Sequence, residues 1–380
     1  MATHLPGATP TAPPETPRRE RSPALDATRA VALLGVIVVN TPFFAGMPAG
    51  PQGTLDAFAG WFVQTFASAK FFPIFSFLFG FGFARLLDEP SSVTDAVTRR
   101  RYFRRLMGLG VLGCVHAAFF FHGDILMLYA VLGLGLWFAR NWSARRLVLV
   151  GAALLALGVI IQAVALRELD LYAMRIEALA PGSEVPRGPY WETLVFVLAF
   201  NGPVAAAMFL FGRVAGREGW FSSDGAWPRG RTGAVAGAGA LAALVSGGSL
   251  LWTRHEGSGA AAWLVYALAA PVLAMALLHG IFALARSAGN ATWVRILAST
   301  GGSTLSGYLG HSLILGTLFN PWGLDLSGRL GSAALLGVAL GVFAIIVVVL
   351  HLWRTRLGRG PAEVALGWWT RLGEAGPGKT

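Results

Sequence analysis

The chain has 380 residues, 55% of them hydrophobic and only 13% charged. A soluble protein carries about 25% charged residues, so a soluble globular domain is excluded. Net charge is +11, but no basic stripe interleaves with aromatics as single-strand nucleic-acid binders require, so no nucleic-acid partner is expected. The single cysteine, Cys114, excludes an intramolecular disulfide and a cysteine-based zinc site, and no metal is expected.

Residues 1–24 are rich in Pro, Thr and Ala and end in the basic run Arg18-Arg19-Glu20-Arg21. Such a segment cannot bury enough apolar surface to fold, and it lacks the short apolar core and cleavage site of a signal peptide. It reads as a disordered cytoplasmic tail. From there about ten apolar stretches follow, each near the roughly 20 residues that a bilayer-spanning helix needs. They fall near residues 28–48, 60–87, 103–121, 123–139, 145–166, 192–214, 233–252, 261–285, 297–318 and 332–353. The predicted fold is all-α: a polytopic membrane bundle over residues 25–360, closed by a cytoplasmic C-terminal tail over 361–380. The predicted location is the cell membrane, multi-pass, with the lipid bilayer as partner.

Arginine placement sets the expected orientation. One set of loops holds Arg18, Arg19, Arg21, Arg99, Arg100, Arg101, Arg104, Arg105, Arg140, Arg145, Arg146, Arg213, Arg217, Arg229, Arg231, Arg286, Arg295, Arg354, Arg356 and Arg359. The alternate loops hold Arg167, Arg175, Arg187, Arg254 and Arg329. Lys and Arg accumulate on the cytoplasmic side, which puts both termini in the cytoplasm and makes the number of spans even. Trp137, Trp142, Trp252, Trp353, Trp368 and Trp369 lie near span ends, where tryptophan anchors to the interface. The loop from Arg167 to Tyr190 is the largest expected outside and carries Glu168, Asp170, Glu177 and Glu184. It is either a solvated face or a lid over an outward-facing site.

Polar side chains inside a membrane are costly and therefore candidates for function. Asp26 and Arg29 are three apart on the first span and share a face. They either anchor the helix start or meet a ligand there. Asn40 lies roughly 16 Å further along the helix. Lys70 sits in an aromatic-rich stretch, Phe66 to Gly82, and either snorkels outward or points into the bundle. His116 lies in the third span, and Asp124 follows after the short turn His122-Gly123. A carboxylate beside a histidine orients the ring and stabilises its protonated form, as in general-base catalysis. Interhelical hydrogen bonding by His116 and helix capping by Asp124 are the alternatives. Tyr308 and His311 share a face of the ninth span. His279 reads as structural and His351 as interfacial. No Walker loop, GxSxG elbow or HExxH motif occurs.

The residues in this order resemble YeiB-like bacterial membrane proteins. The opening Arg21, Asp26, Arg29, Ala32, Gly35 and Asn40 is similar to that family's first motif. Phe75-Ser76-Phe77-Leu78-Phe79-Gly80-Phe81-Gly82 is similar to its second. Gly113 and His116 with Gly123-Asp124-Ile125-Leu126 and Tyr129 resemble a third. The stretch from Thr304-Leu305-Ser306-Gly307-Tyr308 to Trp353 and Gly360-Pro361-Ala362-Glu363 resembles the closing domain.

Through fold and opening motif, that family is grouped with transmembrane acyltransferases such as the heparan-α-glucosaminide N-acetyltransferase. The resemblance implies acyl transfer from a cytoplasmic donor, with acyl-CoA as co-substrate and no bound cofactor, to a small-molecule or glycan acceptor. Two departures matter. Ala30 stands where the family has glycine, and no histidine occurs between His4 and His116, although other acyltransferase branches carry one at or just after the position of Asn40. A catalytic role therefore falls on His116 with Asp124, or on His311, where relatives often have glutamine. Asp26, Arg29, Asn40, Lys70, Tyr308 and His311 are the expected donor- or substrate-binding residues. A transporter or flippase for a small molecule or lipid would use the same groups, and a scaffold subunit would use them for packing. Homo-oligomerisation is compatible with all three.

Overall fold

A computed structural model describes residues 22–46, 53–87, 95–121, 123–179, 190–221, 232–256 and 259–373. The expected tail before residue 22, His122, the second part of the expected outer loop, 180–189, and the end of the expected C-terminal tail, 374–380, lie outside them; the first part of that loop, 167–179, is helical instead. Among the described residues every regular element is a helix. Two pairs of successive helices stand where the sequence predicts one span each.

Helix α1 (Pro23–Ala45) starts where local chemistry dictates. Ser22 Oγ accepts the Leu25 N–H at 3.4 Å, Pro23 occupies the first turn and Asp26 follows in it, a favoured combination at a helix N-terminus. The predicted span 60–87 is interrupted. Helix α2 (Thr54–Phe66) ends, the chain turns through Ala67–Lys70 with Ala69 at φ 62°, and α3 (Phe71–Leu87) begins. Helices α4 (Asp95–Phe119) and α5 (Leu126–Phe138) form a hairpin. Then come α6 (Ala144–Leu179), α7 (Tyr190–Arg217), α8 (Thr232–Glu256) and α9 (Ala260–Ser287). The predicted span 297–318 is interrupted at Gly302-Ser303, between α10 (Thr292–Gly301) and α11 (Thr304–Phe319). Helix α12 (Ser332–Leu357) is continuous. Residues 361–371, expected in a tail, form α13 (Pro361–Arg371).

Seven segments among the described residues are long and apolar enough to cross a membrane, counting α2 with α3 as one. The other expected spans fall short for definable reasons. Five arginines, Arg99 to Arg101, Arg104 and Arg105, crowd the first half of α4. Helix α5 has 13 residues, about 20 Å at 1.5 Å per residue, against a hydrocarbon core of about 30 Å. Helices α10 and α11 have 10 and 16.

Close packing rests on a few glycines. A Cβ on Gly80 would meet the Phe209 carbonyl oxygen at 2.3 Å, and one on Gly212 would meet that of Phe77 at 2.2 Å. The backbones of α3 and α7 therefore touch, as small residues allow in membranes. Gly301 does the same for α10 against α1, at the Asp26 carbonyl. The exposed residues of α6, α8 and α12 include Leu149, Ile160, Leu244, Val348 and Leu352. Helices apolar both inside and outside suit a lipid surround.

Some arginines do more than mark a membrane face. Arg213 of α7 is buried and donates to the Arg140 carbonyl at 2.6 Å, and Arg217 donates to the Trp142 carbonyl at 2.6 Å. They satisfy carbonyls just past the end of α5, where helical bonding stops and the dipole is negative.

Candidate active site

Helices α4 and α5 approach closely because Gly113 has no side chain. A Cβ there would lie 2.6 Å from Met127 N and 2.7 Å from Asp124 Oδ2. His116, three residues on, shares that face. His116 Nδ1 lies 2.8 Å from Asp124 Oδ1, and both residues are buried. Asp124 Oδ2 accepts the Met127 N–H at 3.0 Å. The carboxylate thus serves as helix cap and histidine partner together. An ionised carboxylate only accepts, so His116 donates from Nδ1 and carries its lone pair on Nε2. His116 Nε2 is buried without a hydrogen-bond partner. A base oriented from behind with its reactive nitrogen unengaged is the arrangement that proton abstraction requires.

Helix α11 completes the group. Tyr308 donates its hydroxyl to Asp124 Oδ1 at 3.3 Å, and its ring stands 5.0 Å from that of His116 and 5.1 Å from that of His311. His311 is fully buried. Its Nε2 lies 3.3 Å from Asn40 Nδ2 and 3.4 Å from Ser312 Oγ, and its Nδ1 is buried without a partner. His116, Asp124, Tyr308, His311 and Asn40 therefore form one cluster drawn from α1, α4, the α4–α5 turn and α11.

Tyr308 also lines a cavity of about 520 Å³ that holds Arg29, Arg101, Arg105, Arg359 and Arg371 against one carboxylate, Glu363. Tyr129, Phe75 and Phe79 line its apolar part. Arg29 pairs with Asp26 at 2.7 Å, and Asp26 is buried. The pair that could anchor a helix or meet a ligand is placed for both: Asp26 holds Arg29 at the cavity wall. Arg105 and His116 are eleven residues apart on α4, as Arg29 and Asn40 are on α1, roughly 16 Å in each case. Two helices each lead from a basic cavity to the polar cluster.

Lys70 does not join this group. It is fully buried at the α2–α3 break, so it points inward rather than snorkelling. Its Nζ donates to the Gln64 carbonyl at 3.0 Å, lies 3.4 Å from Ser246 Oγ and stands 4.1 Å from the centre of the Tyr266 ring. His279 lies 3.3 Å from Thr232 Oγ1, and His351 lies 3.1 Å from Ser299 Oγ. Both bonds join one helix to another, His279 of α9 to α8 and His351 of α12 to α10. Sequence reasoning missed Arg101, Arg105, Arg359, Arg371 and Glu363 as cavity residues. One signal was available: Arg101, Arg105, Leu109, Gly113 and His116 recur at helical spacing along one side of α4.

Fold and cluster define an all-helical membrane protein with a buried histidine–carboxylate pair beside an arginine-lined cavity. Residues 215–373 match the family described as a protein of unknown function (DUF418). The uncharacterized protein YeiB of Escherichia coli (strain K12) is 34% identical over 127 residues, 31% of each chain. The uncharacterized protein YxaH of Bacillus subtilis (strain 168) is 33% identical over 147 residues, 36% of each chain. Over these parts of its length the chain is similar to YeiB-like DUF418 proteins, as its motifs led us to expect. The chain spans about a third of the length of these curated relatives. No solved structure matches it.

Proposed function

We propose that this chain is a membrane-embedded acyltransferase that passes an acyl group from an anionic thioester donor, an acyl-CoA, to a hydroxyl or amine of an envelope or small-molecule acceptor. One observation carries the reading: Tyr308 is both a wall of the arginine-lined cavity and a hydrogen-bond donor to the carboxylate that holds His116. Donor phosphates bind among the arginines, and the pantetheine arm runs along α4 and α1 towards the cluster. His116 Nε2 takes the acceptor's proton. The acceptor oxygen or nitrogen attacks the thioester carbonyl, the new acyl bond forms, the C–S bond breaks, and the departing thiolate receives the proton from His116. Asp124 holds the imidazole and stabilises its charged form. Tyr308, His311 and Asn40 position the acyl carbonyl and acceptor.

In this reading the chain crosses the cell membrane ten times with both termini in the cytoplasm. The seven long apolar segments are joined by α4, α5 and the α10–α11 pair as shorter or broken crossings. The arginine cavity then opens to the side where acyl-CoA is made. Comparative mass spectrometry of envelope lipids, glycans and secreted small molecules, with and without the gene, tests it. A product heavier by one acyl group is expected only when the gene is present. Identical profiles would count against acyl transfer.

A second reading, transport of a small molecule or lipid, draws support from the broken helices α2–α3 and α10–α11 and from buried Lys70 at the first break. Discontinuous helices form binding sites in several transporter folds. In the same experiment Lys70→Met separates the two. It leaves the acylated product intact if Lys70 only packs, and it abolishes a moved but unmodified substrate if Lys70 binds it.

A further inference from the structure

Helix α13 is tied down at both ends. At its C-terminal end the Leu372 carbonyl accepts from Arg100 Nη2 at 2.9 Å and also from Arg104, and Trp369 Nε1 donates to the Arg104 carbonyl at 2.9 Å. At its N-terminal end Glu363 enters the start of α11. Its Oε1 accepts the N–H groups of Leu305 at 2.7 Å and Ser306 at 3.2 Å, and its Oε2 accepts the Ser306 hydroxyl at 2.5 Å. Helix α13 therefore forms a strap from α4 to α11, and Glu363, Leu366 and Arg371 on it line the arginine cavity.

The position of Glu363 is chemically specific. Paired backbone N–H groups and a hydroxyl at a helix N-terminus make a seat for an oxyanion. This seat lies in the wall of a cavity whose other charged lining residues are five arginines. Next to Gly302, which lines the same cavity, Arg354 Nη1 is buried without a hydrogen-bond partner and would lie 3.0 Å from a Cβ on Gly302. The close fit extends to Gly360, where a Cβ would fall 2.4 Å from Glu363 Oε2 and 2.5 Å from Ser306 Oγ. Any side chain there would push the carboxylate off its seat.

We propose that the Glu363 carboxylate stands in for a phosphate of the ligand, and that an arriving phosphate takes the Leu305–Ser306 seat and loosens the N-terminal end of α13, which the Gly360 N–H to Ser303 Oγ bond at 3.1 Å and the Ala362 N–H to Ser306 Oγ bond at 3.0 Å also hold. The strap is then a lid whose latch is an internal anion. This rests on assigning the cavity to an anionic donor but not on the acyl-transfer chemistry. Phosphate exchange at the seat involves no covalent step, so it applies to a phosphate borne by coenzyme A or by any other carrier.

The test uses the full chain purified in detergent, titrated with coenzyme A and separately with inorganic pyrophosphate, with hydrogen exchange followed in peptides covering residues 303–308 and 361–371. In the wild type either anion should raise exchange in 361–371 and protect 303–308. In Glu363→Gln the latch is weakened, so α13 should exchange fast without ligand and both anions should bind about ten-fold more tightly, the scale of one charge-assisted hydrogen bond. Glu363→Asp, which keeps the charge but shortens the reach, should fall between the two and serves if the glutamine variant does not fold. Unchanged or weaker anion binding in both variants, with only a lower melting temperature, would overturn the proposal and leave Glu363 as a cap of α11. Coenzyme A binding that ignores Glu363 would refute the latch and keep the donor reading. Pyrophosphate binding with the Glu363 effect but no coenzyme A binding would keep the latch and refute the acyl-CoA donor. No binding of either anion by any of the three proteins refutes both.

Discussion

At the scale of residues, the proposed chemistry turns on His116. General-base catalysis by one side chain is worth about 10²–10⁴ in rate. His116→Ala should therefore lower product formation by that factor while the protein still inserts and purifies. Product quantified by mass spectrometry against protein in the membrane fraction checks this. His116→Gln keeps a polar group but no base, and should be as inactive. Full activity in either variant would move the base to His311 or remove the enzyme reading. How far the site could be read beforehand depended on sequence distance. His116 and Asp124 are eight apart across a short turn, so their contact was expected, and the structure supplies it. Asn40 and His311 are 271 residues apart, and Tyr308 and Asp124 are 184 apart. Each polar residue stood out singly against apolar surroundings, but nothing in one sequence states which of them meet. Lys70 shows the converse: equally conspicuous in sequence, it belongs to a different part of the bundle.

At the scale of elements, the pair depends on how closely α4 and α5 pack. Gly113→Ala places a methyl against Met127 N and Asp124 Oδ2. Overpacking of this kind costs about 1–3 kcal/mol, and here the strain falls on the carboxylate that holds His116. Activity should drop at least ten-fold, more than the loss in folded protein explains. Gly110→Ala on the same helix is the control, since its nearest neighbour, the Ala130 methyl, would be at 3.7 Å, and it should stay near wild type. Thermal melting alongside an activity assay separates the two effects. The elements themselves were largely visible in the hydropathy, because about 20 apolar residues in a row demand a helix in lipid. The breaks were not. Hydropathy is blind to backbone dihedrals, and Ala69 at φ 62° is no turn signal in sequence. The C-terminal helix was hidden by its shortness, although Pro361 at its first turn and Glu363 just after it are helix-start residues.

At the scale of the whole molecule, arginines serve twice. Arg101, Arg105 and Arg359, expected to mark the cytoplasmic side, line the cavity together with Arg29 and Arg371, and Arg213 and Arg217 brace the end of α5 from α7. Counting them as topology marks alone concealed that second role. Reporter fusions after residue 100 and after residue 178 should report cytoplasm and outside respectively. The same side for both would contradict ten crossings and would place the cavity away from cytoplasmic acyl-CoA. Arg105 in the cavity and His116 in the cluster lie eleven residues apart on α4, and in the proposed reaction the acyl donor reaches from one to the other. Calorimetric titration of acetyl-CoA into the detergent-purified full chain tests that directly. The wild type should bind, and Arg29→Gln and Arg105→Gln should each weaken binding by roughly 10- to 100-fold, the loss of one charge-assisted contact of about 1.5–3 kcal/mol. No binding by the wild type at millimolar donor, or binding indifferent to both arginines, would contradict an acyl-CoA site in this cavity.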